Sequence, residues 1–264
     1  MLDKFIEIFQ GLDIAYGEYF LEGSRDNKTG KEKGRAITKR APVTKELFQK
    51  HLNGEINLGV IPIRQDNTCY WGCIDVDKYD LDHKTLIKKI RDRDYPLVPY
   101  RSKSGGIHLF LHVLTPTPAE LMIEKLSLLA TDLGLSSCEI FPKQRQIMVY
   151  KNDLGNWLNI PYQQAARSTR YAMYDSGMGV PITQWYDWIQ NFRLTPEKFN
   201  NLKVYEQQTD SLVGHEMIYE VEYKDGTKER FNHREWNQIV ANGKDFWDRH
   251  LKNKYFEQGH EGLY

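Results

Sequence analysis

The chain has 264 residues, 40% hydrophobic, 27% charged and 12% aromatic, which suits one large folded domain or a core with a small appendage and excludes a disordered polymer. Its 36 basic side chains are matched by 36 acidic ones, which argues against a uniformly basic nucleic-acid-binding protein, but the balance is not local. Residues 25–40 read RDNKTGKEKGRAITKR, with seven basic residues against Asp26 and Glu32, so a basic groove can coexist with acidic ligands elsewhere; a solvated loop is the other reading. No apolar run approaches the roughly 20 residues needed to cross a bilayer. The amphipathic start, MLDKFIEIFQGLDIAY, carries Asp3 and Glu7 and does not resemble a signal peptide, and Cys69, Cys73 and Cys138 form no disulfide framework. A cytoplasmic protein without a membrane partner is expected.

In chain order, 44–53 places Leu47, Phe48 and Leu52 at helical spacing, with Thr44 as N-cap and Gly54 just past the end. Two short apolar runs, 57–63 and 68–76, flank the polar turn RQDN and predict a hairpin. Asp82 is placed to cap a helix carrying Leu86, Ile87 and Ile90 that ends near Asp94, before Pro96. A second strand pair is expected at 97–101 and 107–113, joined through SKSGG. Thr117-Pro118-Ala119-Glu120 has the form of a capping box, opening a helix that Gly134 ends. Strands at 139–141 and 147–151 bracket PKQRQ. Further on, 205–211 is a polar linker or loop, 218–223 and 227–231 flank Lys224-Asp225-Gly226 as a hairpin, and 234–251 reads as a helical end piece. Strands in adjacent pairs predict a mainly antiparallel sheet in an α+β fold. The expected division is a core over 1–190 and an accessory helix, hairpin and helix over 191–264.

Three segments carry chemistry. In Trp71-Gly72-Cys73-Ile74-Asp75-Val76-Asp77, strand alternation sets Asp75 and Asp77 on one face, with α-carbons roughly 6.5–7 Å apart, where two carboxylates can share divalent ions. An Asp-x-Asp alone also occurs in loops, calcium sites and glycosyltransferases. In Arg101-Ser102-Lys103-Ser104-Gly105-Gly106-Ile107-His108, paired glycines allow a tight turn with exposed amides beside cations, and His108 leaves that turn on an apolar strand. It is either a core histidine or a donor to a phosphate oxygen. In Cys138-Glu139-Ile140-Phe141-Pro142-Lys143, Glu139 is placed to add a third carboxylate and Lys143 to neutralise a phosphate. The aromatic stretch 155–162 either lines a nucleotide pocket or covers a sheet edge. Cys69 and Cys73 share a strand face by simple alternation but lack a second ligand pair, so buried thiols are favoured over zinc.

The order Asp75-Val-Asp77, Gly106-Ile-His108, Glu139 resembles the archaeo-eukaryotic primase superfamily. The flanking phrases HLNGEINLGVIPI, EIFPKQ and GNWLNIPY resemble primase domains of phages and mobile conflict elements over about 43–162. The resemblance implies an RRM-like antiparallel sheet packed on an N-terminal α/β unit, with the catalytic cleft between them. It implies a nucleotidyltransferase, a primase or DNA polymerase acting in a bacterial or phage-infected cell. Asp75, Asp77 and Glu139 would hold two Mg²⁺ or Mn²⁺ ions. Lys103, Ser104, Gly106 and His108, with Arg101 and Lys143 as further phosphate contacts, would bind an NTP or dNTP. Single-stranded or primed DNA is the implied template, and a helicase domain or protein a further partner. The rival readings are a two-metal nuclease and a non-catalytic nucleic-acid-binding module.

Overall fold

The computed structural model describes residues 1–25, 32–77, 81–103, 105–204, 218–223, 226–232 and 251–257. The chain divides into two units, Met1–Glu206 and Gln207–Tyr264, so the boundary expected at residue 190 falls inside the first.

Along the first unit run α1 (Leu2–Phe9), β1 (Tyr16–Arg25), β2 (Glu32–Lys39), α2 (Lys45–Asn53), β3 (Leu58–Val60), β4 (Thr68–Val76) and α3 (His83–Asp92). Then come β5 (Val98–Arg101), β6 (Ile107–Pro118), α4 (Ala119–Leu133), β7 (Glu139–Phe141), β8 (Leu158–Asn159), α5 (Ile182–Ile189) and α6 (Pro196–Asn200). The strands build two four-stranded sheets, β2-β1-β3-β8 and β5-β6-β4-β7, with antiparallel ladders throughout. The second sheet and its helices follow the order β4-α3-β5-β6-α4-β7, the RRM-like arrangement. The fold is α+β.

Each face of that second sheet is apolar, for opposite reasons. Ile74, Val76, Leu109 and Leu111 pack under α3 and α4 against Leu86, Ile87, Met122 and Leu126. The alternate residues Trp71, Cys73, Phe110 and Phe141 join Phe5, Phe9 and Trp185 with Leu58, Val60 and Leu158 of the first sheet. Burial on both faces is why β4 lacks a clean polar–apolar alternation.

Local signals placed several ends correctly. Gly54 and Gly134 adopt left-handed φ of +85° and +76° after their helices, a conformation glycine enters without steric cost. The Asp82 carboxylate accepts from the backbone N–H groups of Lys84 and Thr85. Thr44 precedes α2, but its side chain makes no cap bond.

Other expectations are corrected. β3 and β4 do not form a hairpin: β3 pairs with β1 and β8, whereas β4 pairs with β6 and β7. The turn at 64–67 exists, closed by Asn67 N–H to the Arg64 carbonyl at 2.9 Å, yet it carries the chain from one sheet to the other. Residues 149–151 form a 3₁₀ turn, and β7 pairs with β4 instead. Thr117 is not a cap, because β6 continues to Pro118 and Thr117 stays in the ladder opposite Cys69. An irregularity between Cys69 and Trp71 breaks the alternation, so Cys69 lies on the helix side and Cys73 on the other. The two thiols therefore share no face; burial pushes Cys69 up to about 12 and Cys73 well above its ordinary range.

In the second unit, β9 (Ile218–Tyr223), β10 (Lys228–Asn232) and β11 (Leu251–Glu257) form an antiparallel sheet ordered β10-β9-β11. The predicted hairpin is β9–β10, with Gly226 at φ +92°. The third strand was not expected; Leu251 begins it, while 234–250 and the linker 205–211 lie outside the described residues.

Candidate active site

Strand register assembles the site. Ile74 and Val76 point into the helix-covered core, so Asp75 projects from the opposite face of β4. Asp75 is in register with His108 of β6 on one side and Glu139 of β7 on the other, and His108 is in register with Tyr100 of β5. Cross-strand partners share a face, so Tyr100, His108, Asp75 and Glu139 form one row across all four strands. Below this row the same face is Cys73, Phe110 and Phe141, fully apolar. Tyr100 belongs to that floor: its hydroxyl accepts from Trp185 Nε1 at 2.8 Å, and burial raises it well above the usual phenol range. The row marks the change from buried floor to solvent, with the side chains of Asp75 and His108 15% and 14% exposed and Glu139 61%.

His108 Nε2 lies 3.2 Å from Asp75 Oδ1, but without hydrogen-bond geometry, and this buried oxygen has no other donor among the described residues. An acceptor so placed is costly unless a cation or donor reaches it. Glu139 is paired with Lys143 at 2.8 Å. Asp77, exposed, follows β4 by one residue on the Asp75 side of the alternation. Among the described residues, no three His, Cys, Asp or Glu side chains stand close enough together to hold a metal ion as they are. Asp75, Asp77 and Glu139 share a rim without converging on a point, and Lys143 balances Glu139. Three carboxylates and one donorless oxygen nevertheless match the hard-oxygen preference of Mg²⁺ or Mn²⁺.

The turn between β5 and β6 sits beside this rim. The Ser102 N–H donates to the Gly106 carbonyl at 2.9 Å, and the Gly105 N–H to the Ser102 carbonyl at 3.2 Å. A Cβ on Gly106 would stand 2.5 Å from the Val76 carbonyl oxygen, so only glycine lets the turn pass the end of β4. Ser104 lies outside the described residues. The Lys103 ammonium is 4.7 Å from the centroid of Tyr19 in β1, which brings the turn against the first sheet. Arg101 donates Nη1 to the Thr169 carbonyl at 3.0 Å and its backbone N–H to Tyr171, so its guanidinium is committed to the segment that runs beside β5. That segment bridges Tyr100 through Ala172.

Of the aromatic stretch after β7, Trp157 covers the first sheet, whereas Tyr162 packs edge-on against Tyr100 beneath the row, at 6.3 Å between ring centroids. Trp157 lies across the register pair Gly17 and Gly59, where a Cβ would fall 1.9 Å or 2.2 Å from its ring, and donates Nε1 to Thr38 Oγ1 at 3.0 Å. Arg170 is 5% exposed and donates Nη2 to Asn57 Oδ1 at 2.5 Å. No local motif marks this contact between residues so distant in the chain.

The family profile for the archaeo-eukaryotic primase domain of the TOTE conflict system matches residues 14–201. The chain belongs to this family. The match extends well beyond the motif-bearing stretch and takes in both sheets of the first unit. The archaeo-eukaryotic primases are primase- and polymerase-type nucleotidyltransferases, generally dependent on divalent metal ions. Curated proteins give no significant match. Solved structures that resemble the chain include the archaeo-eukaryotic primase domain of cyanophage S-2L primase-polymerase, at 12% identity and TM-score 0.36 over 66% of this chain and 88% of that one. The catalytic domain of primase RepB′ in complex with initiator DNA matches at 10% identity and TM-score 0.34, over 79% of this chain and 97% of that one. Primase RepB′ matches at 10% and 0.34 over 76% and 62%. No helix among the described residues is long and apolar enough to cross a membrane.

Proposed function

We propose that this primase-family chain is a template-directed primase–polymerase that adds NTPs or dNTPs to a 3′-hydroxyl on DNA, in the service of a phage, mobile element or conflict system. The observation that carries the reading is the row in which Asp75 stands in register between His108 and Glu139. Asp75, Asp77 and Glu139 are the residues that would hold two Mg²⁺ or Mn²⁺ ions, and the donorless Oδ1 of Asp75 supports this. Ions bound there would acidify the attacking hydroxyl and offset charge on departing pyrophosphate.

The chain's own residues position and screen. His108, kept at the rim beside Asp75, and Lys103, in the turn, present donors to the triphosphate, and Ser104 and Gly106 are the further contacts of this reading. Holding the phosphates in line with the incoming hydroxyl supplies most of the acceleration in phosphoryl-transfer chemistry. Lys143 neutralises Glu139 until a cation takes over, and is then available to a phosphate. Arg101 acts through the segment 169–173, which it fixes to β5. Template contacts run mainly to the DNA backbone, so affinity falls steeply with salt. A helicase domain or protein would supply unwound template.

The test is incubation with a primed single-stranded template, Mn²⁺ and NTPs or dNTPs. Primer extension that disappears in Asp75→Ala and Asp77→Ala supports the reading. Primer shortening identifies a nuclease instead. DNA retention without either reaction identifies a binding module.

A further inference from the structure

Arg170 is a buried cation whose counter-charge is missing among the described residues. Its one side-chain hydrogen bond to protein goes to a neutral amide, Asn57 Oδ1 at 2.5 Å, and no carboxylate approaches within 4.0 Å. Burial alone lowers its pKa to about 10. A guanidinium carries five donors; only Nη2 is bonded to protein, Nε and Nη1 keep contact with solvent, and a charge this far buried without an anion is costly.

Its position gives that cost a use. Ala172 is bridged to Tyr100, and the ladder β5–β6–β4 continues the row through His108 and Asp75. Two residues on, Arg170 falls opposite Ser102, Ser102 donates to Gly106, and Gly106 passes the end of β4 at Asp77. Arg170 therefore belongs to the row next to His108, on the same face. Two strand spacings and two residues of rise put their α-carbons about 12 Å apart. Asn57 is itself held to the first sheet: its Nδ2 donates to the Tyr19 carbonyl and its carbonyl accepts from the Tyr19 N–H, each at 3.2 Å. The same Tyr19 lies under Lys103. Two cations, one from the segment flanking β5 and one from the β5–β6 turn, thus meet the Tyr19–Asn57 pair, in the row next to His108.

We propose that Arg170 binds the polyphosphate tail of the nucleoside triphosphate, oriented by Asn57, an inference that rests on the nucleotidyltransferase reading above. A bidentate guanidinium suits a phosphate, and with no competing carboxylate among the described residues its donors are available to one.

The experiment uses the full chain without divalent metal and sodium tripolyphosphate as probe, followed by thermal shift and calorimetry, with primer extension in parallel. Wild type should bind tripolyphosphate, and Arg170→Met should weaken it by about tenfold or more while Arg170→Lys retains part of it. In the absence of probe, Arg170→Met should keep or raise the melting midpoint, since it removes an uncompensated buried charge. A purely structural arginine would show the reverse, a lower midpoint with tripolyphosphate affinity intact, and that result overturns the proposal. Asn57→Asp gives a second route should Arg170→Met fail to fold: a carboxylate on the guanidinium should cost a comparable loss of affinity, and unchanged affinity overturns the proposal. Extension by wild type with the same nucleotide KM in Arg170→Met refutes Arg170 alone and leaves the polymerase reading standing. A loss of DNA affinity with tripolyphosphate binding unchanged assigns Arg170 to the template and also overturns it. Wild type that neither binds tripolyphosphate nor extends primers refutes both.

Discussion

Replacing His112 by Phe should remove half of a steep acid sensitivity. His112 is 1% exposed, its ring stacked on Phe110 at 5.6 Å and edge-on to Phe9, and neither ring nitrogen has a hydrogen-bond partner. Burial, reinforced by the Arg193 charge, lowers its pKa from 6.5 to about 3. His51 is equally buried and is also lowered to about 3 by burial, although it accepts from the Leu58 N–H and shares a 2.8 Å bond with the Pro161 carbonyl. For both groups the unfolded chain binds the proton first, so stability is intact above pH 6.5 and is lost as pH falls towards 3. Between pH about 7.5 and about 5, linkage gives about 2 kcal/mol per histidine and about 4 kcal/mol together. That is a large part of the roughly 5–15 kcal/mol that holds a typical domain. Urea unfolding followed by tryptophan fluorescence at the two pH values measures it, and carboxylates that titrate in both proteins cancel in the comparison. His112→Phe should reduce the pH-dependent loss by about 2 kcal/mol. At neutral pH it should hold stability, since removing two unpartnered buried nitrogens, about 1–3 kcal/mol, offsets the larger ring. An identical pH dependence in wild type and variant would refute the reasoning.

Asp75→Asn should leave folding and DNA affinity intact but lower primer extension on the order of a thousandfold, because the amide cannot replace a charged ligand; single-turnover extension and filter binding check the two halves. Chelation with EDTA should silence extension and Mn²⁺ should restore it, whereas activity persisting in EDTA would contradict the carboxylate assignment. Gly106→Ala sets a methyl 2.5 Å from the Val76 carbonyl, so it should cost about 1–3 kcal/mol in urea unfolding and raise the nucleotide KM. Asp132, buried, accepts from the Tyr95 hydroxyl at 2.9 Å and pairs with Arg93; Asp132→Ala should destabilise by about 3 kcal/mol, and a change under 1 kcal/mol would show the pair to be dispensable.

What was legible in the sequence was whatever neighbouring residues decide. Gly54, Gly134 and Asp82 end or begin helices through bonds that span a few residues, and the Asp75–Val76–Asp77 alternation follows from strand geometry alone. Family likeness supplied the association of His108 and Glu139 with Asp75, which no local rule contains. The rest depends on contacts distant in sequence. The run at 57–63 looks the same whether its partner is β4 or β1, and only packing decides. A register shift between Cys69 and Trp71 reversed a face assignment that strict alternation made. Trp157 needs the absent side chains of Gly17 and Gly59, and Arg170 needs Asn57; neither requirement is written near the residue that has it.

The path of the backbone has a mechanical consequence. After β3 the chain leaves the first sheet for β4, returns after β7 to lay down β8, and crosses again so that Ala172 flanks β5. The two sheets are thus laced together by three separate stretches of connecting chain, and the first is completed by β8 only after all four strands of the second have been laid down. A lattice stitched this way resists opening like a clamshell. Residues 1–206 should therefore melt in a single step.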